Sequence, residues 1–237
     1  MDQELIRLRR QILRAGKQML TMAAALIFCS GPLNAAEPAK IVNDGLSHTL
    51  SSGNLKVVSA SFLEAEDADL LFKPNAIKRG LSYIDREQKK AINAAQDADV
   101  SPDSRFRTLK HFGAMLRAVN DFYSRTNYIE IQAARLNAKF GSRGYDPYSM
   151  ELADWGRLSN NLENEPKLEA IKSGSESSPV GNSTHEKVAY ELAVRETARQ
   201  WDILETLIKG RYQGRALTIL TALKEASCPA KDPDSLD

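Results

Sequence analysis

The segment LRAVNDFYSRTNYIE, from Leu116 to Glu130, decides the fold because it is the centre of the longest helical pattern in the chain. The pattern begins at Ser101-Pro102, a capping residue followed by the proline that suits the first position of a helix. Apolar side chains then recur every three or four residues, at Phe106, Leu109, Phe112, Leu116, Val119 and Tyr123. The pattern resumes after an irregularity near Thr126-Asn127, and Gly141 ends it. The sequence therefore predicts a long core helix with a break near residue 126.

Amphipathic patterns elsewhere predict further helices and one all-α domain over residues 58–226. One apolar stripe consists of Ile77, Leu81, Ile84, Ala91 and Ile92. A capping box of Ser183 and Glu186 opens another helix, whose stripe is Tyr190, Val194, Trp201, Leu204 and Ile208. Shorter helices are expected in MELADWGRLSNNL (150–162), PKLEAIK (166–172) and ALTILTALKEA (216–226). No segment shows the apolar–polar alternation of a strand.

The two ends of this predicted domain differ from it in composition. Residues 36–57 contain the turn signals NDG and SSGN and little helical periodicity, which predicts an extended N-terminal segment with few contacts. Residues 227–237, SCPAKDPDSLD, are polar and contain two prolines, which predicts a disordered tail.

Residues 1–35 have the order of a secretory signal peptide. Five basic residues up to Lys17 precede an apolar run from Met19 to Phe28, and small residues follow near Asn34-Ala35-Ala36. An uncleaved membrane anchor is the alternative, but a bilayer-spanning helix needs roughly 20 apolar residues. We therefore expect a bacterial protein that is exported to the periplasm or secreted, with membrane contact only if the signal is not cleaved.

Composition excludes several classes of protein. The chain is 42% hydrophobic and 27% charged, which is typical of globular proteins. Without residues 1–35 it has 27 basic and 29 acidic residues, so bulk charge does not favour nucleic-acid binding. It would then retain only Cys228, so an intramolecular disulfide cannot stabilise the fold. Stability must come from a packed core.

Three charged residues of the central helix share one face. Arg117, Asp121 and Arg125 lie at i, i+4 and i+8, and each step turns the side chain by only about 40 degrees. The simplest interpretation is an exposed salt-bridge ladder, worth roughly 0.2–0.5 kcal/mol per pair. The alternatives are a closed ion cluster, a pocket in which the two guanidinium groups grip a phosphate or carboxylate, and a metal site that includes Asp121.

The same helix resembles the signature helix of the Het-C (heterokaryon incompatibility) family, which is related to zinc-dependent phospholipase C and the helical zinc nucleases. The residues that carry the resemblance are Leu116, Asp121, Phe122, Asn127, Tyr128 and Glu130, with Thr126 in place of the usual serine. A second stretch is similar to the helix that a histidine opens in that family, at His185, Ala189, Leu192-Ala193 and Glu196-Thr197. The resemblance implies an all-α domain of the phospholipase C type. It also implies that Asp121 and His185 are candidate catalytic residues, and that Asn127, Tyr128 and Glu130 contact and orient the residues of the site.

The departures from the family pattern argue against zinc chemistry. Where relatives place histidines on either side of the aspartate, this chain has Arg117 and Arg125. A guanidinium group stays protonated and offers no lone pair to a metal. Only three histidines exist, His48, His111 and His185, and His185 near a helix start is more typical of a polar surface position. We therefore expect no metal and no other cofactor; the alternative is a zinc site built on His185, Asp121 and remote carboxylates.

These observations leave three hypotheses for function. The first is a non-catalytic binding protein whose partner is another protein, or a phosphate-bearing small molecule or lipid headgroup. The second is a phosphodiesterase or phospholipase C-like hydrolase that uses Asp121, with Arg117 and Arg125 as a phosphate clamp. The third is a purely structural interaction protein with an exposed apolar patch. The residues Trp155 and Trp201 are interpreted as core anchors rather than as stacking platforms.

Overall fold

A computed structural model describes residues 36–65, 71–73, 75–140, 146–160, 168–171 and 178–226, and these are mainly helical. The α-helices, numbered along the described chain, are α1 (Ala36–Leu46), α2 (Ser52–Glu64), α3 (Ile77–Ala94), α4 (Pro102–Arg125), α5 (Tyr128–Phe140), α6 (Trp155–Asn160), α7 (His185–Tyr212) and α8 (Ala216–Glu225). Short 3-10 turns lie at Ala95–Asp97, Pro147–Ser149 and Gln213–Arg215. A two-residue hairpin, β1 (Pro179–Val180) with β2 (Ser183–Thr184), precedes α7. The all-α prediction is confirmed.

Helix α4 is the centre of the fold. It begins as the sequence predicts, since the Ser101 hydroxyl accepts a hydrogen bond from the Ser104 amide at 3.2 Å and Pro102 is the first helical residue. It packs against α2, α3 and α7, and twelve of its 24 residues are buried. The predicted break is also present, because α4 ends at Arg125 and α5 begins at Tyr128. Helix α4 therefore carries the residues of interest into the middle of the domain.

An aromatic cluster surrounds the C-terminal half of α4. Phe122 lies in the middle of it, with ring centroids 4.9–5.5 Å from those of Phe72, Tyr123, Tyr128 and Trp155. Most of these pairs meet edge to face, the arrangement that the ring quadrupole favours. Phe122, next to Asp121 in the chain, is therefore a core residue that fixes this end of the helix.

The predicted extended segment over residues 36–57 is wrong. Helix α1 occupies Ala36–Leu46, and α2 begins at Ser52, where the Ser51 hydroxyl accepts from the Asn54 amide at 3.4 Å. The predicted turn NDG (residues 43–45) lies inside α1. Its glycine packs closely against α7, because a Cβ on Gly45 would lie 2.7 Å from Thr197 Cγ2. Close packing between helices, rather than a turn, accounts for that glycine. The compact unit accordingly begins at Ala36 and not at residue 58.

One further expectation is corrected between α5 and α7, and one is confirmed. Within 166–172, the described residues 168–171 are not helical, and Ala170 forms a β-bridge with Thr126. The helix expected within 150–162 is present, as α6 at Trp155–Asn160. The predicted signal peptide (1–35) and the predicted tail (227–237) both lie outside the described residues.

Candidate functional site

The charged face of α4 forms a compact ion cluster. Arg117 Nε lies 3.3 Å and Arg125 Nε lies 3.6 Å from the same oxygen, Oδ1 of Asp121. The aspartate side chain is only 3% exposed, whereas those of Arg117 and Arg125 are 18% and 34% exposed. This arrangement differs from an exposed ladder, because the central carboxylate has lost nearly all contact with water.

Because Asp121 is buried, its ion pairs matter more for stability than the pairs of an exposed ladder would. A buried carboxylate needs charged or hydrogen-bonding partners, since removing it from water without them costs several kcal/mol. Arg117 and Arg125 supply such partners from one turn before and one turn after Asp121. The arrangement is suited to stabilising α4 and, at its exposed edge, to contact with an anion.

The donor set around Asp121 does not fit the zinc ion that the family resemblance implies. Zinc requires nitrogen, oxygen or sulfur atoms with available lone pairs, and the guanidinium groups beside Asp121 have none. In the described part of the chain, no three His, Cys, Asp or Glu side chains are grouped so that they could hold a metal ion. The surroundings of Asp121 therefore suit ion pairing with guanidinium groups and do not suit zinc.

His185 is buried rather than on the surface, contrary to the expectation for a residue near a helix start. It is the first residue of α7 and is 1% exposed. Its ring bridges two elements, because Nδ1 lies 2.8 Å from Glu130 Oε1 on α5 and Nε2 lies 3.2 Å from the Tyr123 carbonyl oxygen near the end of α4. The cap is Thr184 rather than Ser183, since the Thr184 hydroxyl accepts from the Lys187 amide at 3.4 Å. The ring therefore joins the two stretches that carry the family resemblance.

Asn127, Tyr128 and Glu130, which were expected to orient the residues of the site, have separate hydrogen-bond partners. Glu130 contacts His185, as described above. The Tyr128 hydroxyl donates to the Glu151 carbonyl at 3.1 Å, and burial, followed by the Glu151 charge, raises the pKa of Tyr128 to about 12. The Asn127 side chain accepts from the Glu169 amide at 2.8 Å, and the Asn127 amide donates to the Glu169 carbonyl at 2.9 Å. These contacts attach the segments around residues 151 and 169 to the start of α5.

A second polar cluster, which we call the Glu196 cluster, was not predicted. Glu196 on α7 is fully buried, and its carboxylate accepts from the Tyr123 hydroxyl at 3.0 Å and from the Trp155 indole at 2.8 Å. It also accepts from Arg199 Nη2 at 2.8 Å and from Gln200 Nε2 at 2.6 Å. One carboxylate thus connects α4, α6 and α7. The prediction that Trp155 and Trp201 are core anchors needs a correction for Trp155, which is only partly buried.

Tyr123 links the Glu196 cluster to His185. Its carbonyl oxygen accepts from the His185 ring, while its hydroxyl donates to Glu196 and accepts from the Ala153 amide at 2.9 Å. Burial, followed by the negative charge of Glu196, raises the pKa of Tyr123 well above its usual value. The tyrosine therefore stays neutral and acts as a donor to the carboxylate. In the structure Glu196 lies between the buried residues Leu192 and Gln200 on α7. That face is turned by about 120 degrees from the predicted apolar stripe, so the sequence pattern did not mark Glu196 as a core residue.

His111 belongs to a third polar contact, away from Asp121. Its Nδ1 lies 2.8 Å from Oε2 of Glu87, a nearly buried residue of α3, and Lys90 Nζ lies 2.8 Å from the other carboxylate oxygen. Burial alone would raise the pKa of Glu87, but the hydrogen bonds from His111 and Lys90 outweigh it and lower that pKa to about 2. This contact joins α3 to α4 and explains why His111 points away from the candidate site.

Comparisons with known proteins give no further guidance. No family model, curated protein or solved structure matches this chain. Among the helices in the described ranges, none has both the length and the apolar character needed to span a bilayer.

Proposed function

We propose that this chain is an exported, Het-C-like helical protein that acts by binding rather than by catalysis. Its partner is another protein, or a phosphate-bearing small molecule or lipid headgroup. The observation that carries the proposal is the pair of arginines on Asp121, which replace the lone-pair donors of a zinc site with two permanent positive charges.

The contacts of His185 support the same proposal. A metal ligand or general base needs an accessible nitrogen with a lone pair. Both ring nitrogens of His185 face protein acceptors, the Glu130 carboxylate and the Tyr123 carbonyl, and the ring is 1% exposed. In this arrangement the imidazole joins α7 to α4 and α5.

Metal analysis of the purified full-length protein tests the proposal. We expect zinc well below one equivalent per chain after expression with zinc, and no change in melting temperature on adding a chelator. Stoichiometric zinc that is lost in Asp121→Asn but retained in Asp85→Asn would overturn the proposal. Asp85 is a matched control because it also contacts a cation one turn away, Lys89, but on an exposed surface.

A phospholipase C-like hydrolase with a phosphate clamp is the second candidate. The observation in its favour is that the Arg125 side chain is 34% exposed, and a guanidinium group suits phosphate oxygens. Hydrolysis of bis(p-nitrophenyl) phosphate or phosphatidylcholine that disappears in Asp121→Asn, and persists in Asp85→Asn, would establish this candidate. Phosphate binding that weakens in Arg125→Gln, without any hydrolysis, would instead identify a phosphate-bearing partner of the binding protein.

A further inference from the structure

Residues 146–155, which we call the cover segment, run across the outside of α7 and have an unusual set of contacts. The segment comprises the 3-10 turn Pro147–Ser149, an irregular stretch and the first residue of α6. Each end is organised by an aspartate: Asp146 Oδ1 accepts from the Tyr148 amide and Asp154 Oδ1 accepts from the Arg157 amide, both at 3.0 Å. The segment is therefore internally organised.

Side chains of the neighbouring helices hold the cover segment in place. Arg195 on α7 donates to the carbonyls of Tyr148 and Met150 at 2.8 and 3.1 Å, and Arg199 donates to the carbonyl of Ala153 at 2.5 Å. The hydroxyls of Tyr123 and Tyr128, already described, contact Ala153 and Glu151. The backbone–backbone hydrogen bonds described for residues 146–155 all stay within the segment and its continuation into α6. No ladder of main-chain bonds has to break for it to separate from the helices that the structure describes.

The cover segment hides the Glu196 cluster. Met150 and Ala153 point inward and are buried, whereas Glu151 and Asp154 are exposed. Trp155, at the end of the segment, donates directly to Glu196. Separation of the segment would remove the Trp155 indole, which donates to Glu196, and the backbone around Ala153, which lies near it. Water would then reach the Glu196 carboxylate, which is fully buried in the closed arrangement.

We propose that residues 146–155 form a cover that opens as one unit over Glu196, while α4 and α7 stay folded, and so controls access to this carboxylate. Segments that are held by side chains, with few main-chain bonds to their neighbours, open at lower free energy than packed helices. Helices α4 and α7 contact each other directly through buried residues such as Phe112 and Trp201, whose rings lie 5.4 Å apart. This contact involves no residue of the cover.

Hydrogen exchange of the full-length protein tests this proposal. Arg195→Gln removes two hydrogen bonds to the cover without touching Glu196, and Arg195 is itself exposed. We expect exchange of amides in residues 148–153 to become about tenfold faster, with unchanged exchange in the middle of α4 and an unchanged melting temperature. Arg211→Gln, also exposed on α7 but far along the helix from the cover, is the matched control and should change none of these rates.

A second measurement follows Glu196 itself. Carbodiimide coupling to glycinamide, read by peptide mass spectrometry, labels carboxylates only when solvent reaches them. Labelling of Glu196 should be slow in the native protein and in Arg211→Gln, and about tenfold faster in Arg195→Gln. The proposal fails if the cover amides exchange as slowly as the middle of α4 in every variant. It also fails if Glu196 becomes labelled only under conditions in which the whole domain unfolds.

Discussion

Replacing Glu196 with glutamine keeps the shape of the side chain but removes its charge from the middle of the Glu196 cluster. The carboxylate accepts from Tyr123, Trp155, Arg199 and Gln200 and is completely buried. The glutamine amide group would place N–H donors against donors, and Arg199 would lose its counter-charge. Breaking a buried ion pair by removing one partner costs about 3–5 kcal/mol. We therefore expect Glu196→Gln to lower the free energy of unfolding by about that amount.

Urea unfolding monitored by far-ultraviolet circular dichroism measures this change. For a domain of this size, roughly 200 residues, the expected loss corresponds to a decrease in melting temperature of about 6–20 °C. Glu191→Gln is the matched control, since Glu191 is an exposed residue of the same helix and its substitution should change stability by less than about 0.5 kcal/mol. A loss below about 1 kcal/mol for Glu196→Gln would refute the reasoning, because the cluster would then contribute no more than one ordinary hydrogen bond.

Two further predictions concern helix packing and acid stability. In Gly113→Ala, the new Cβ would lie 2.5 Å from the Val58 carbonyl oxygen, so α2 and α4 must separate and we expect the free energy of unfolding to fall by about 1–3 kcal/mol. In Gly210→Ala, the new Cβ meets nothing within 4 Å, so the substitution should instead stabilise α7 by roughly 0.5–1 kcal/mol. Equal effects of the two substitutions in urea unfolding would contradict this prediction. For Glu87, the folded-state pKa of about 2 lies below the ordinary value of 4.5, so folding favours the ionised form: its stabilisation is complete above pH 4.5 and is lost as the pH falls toward 2. Glu87→Gln should flatten the dependence of stability on pH in that window, and an unchanged profile would contradict the role assigned to Glu87.

The sequence was sufficient for elements whose signals are local. Ser101-Pro102 marks the start of α4, and the irregularity at Thr126-Asn127 marks its end, because capping and breaking depend on a few adjacent residues. The same local signals misled at Gly45, which lies in a helix because α7 packs closely against it. They also misled at Ala170, where pairing with Thr126 overrides a helical pattern.

In the candidate site, too, the sequence predicted the local contacts and not the long-range ones. The spacing of Arg117, Asp121 and Arg125 follows from helix geometry, so their proximity was predictable from the chain. Their burial was not, because it depends on which helices cover that face. The contact of His185 with Glu130 joins residues 55 positions apart, and that of Tyr123 with Glu196 joins residues 73 positions apart. No local pattern specifies such contacts.

The sequence by itself determined that the chain forms helices, where the longest of them begins and breaks, and that the residues around Asp121 are arginines rather than zinc ligands. These properties follow from side-chain chemistry and from the 3.6-residue period of the helix. Only the tertiary structure decided that His185 is buried, that Glu196 joins three helices, and that residues 146–155 cover it. The physical reason is that burial and long-range hydrogen bonds depend on how separate helices pack, and a charged side chain becomes costly or useful only once that packing removes it from water.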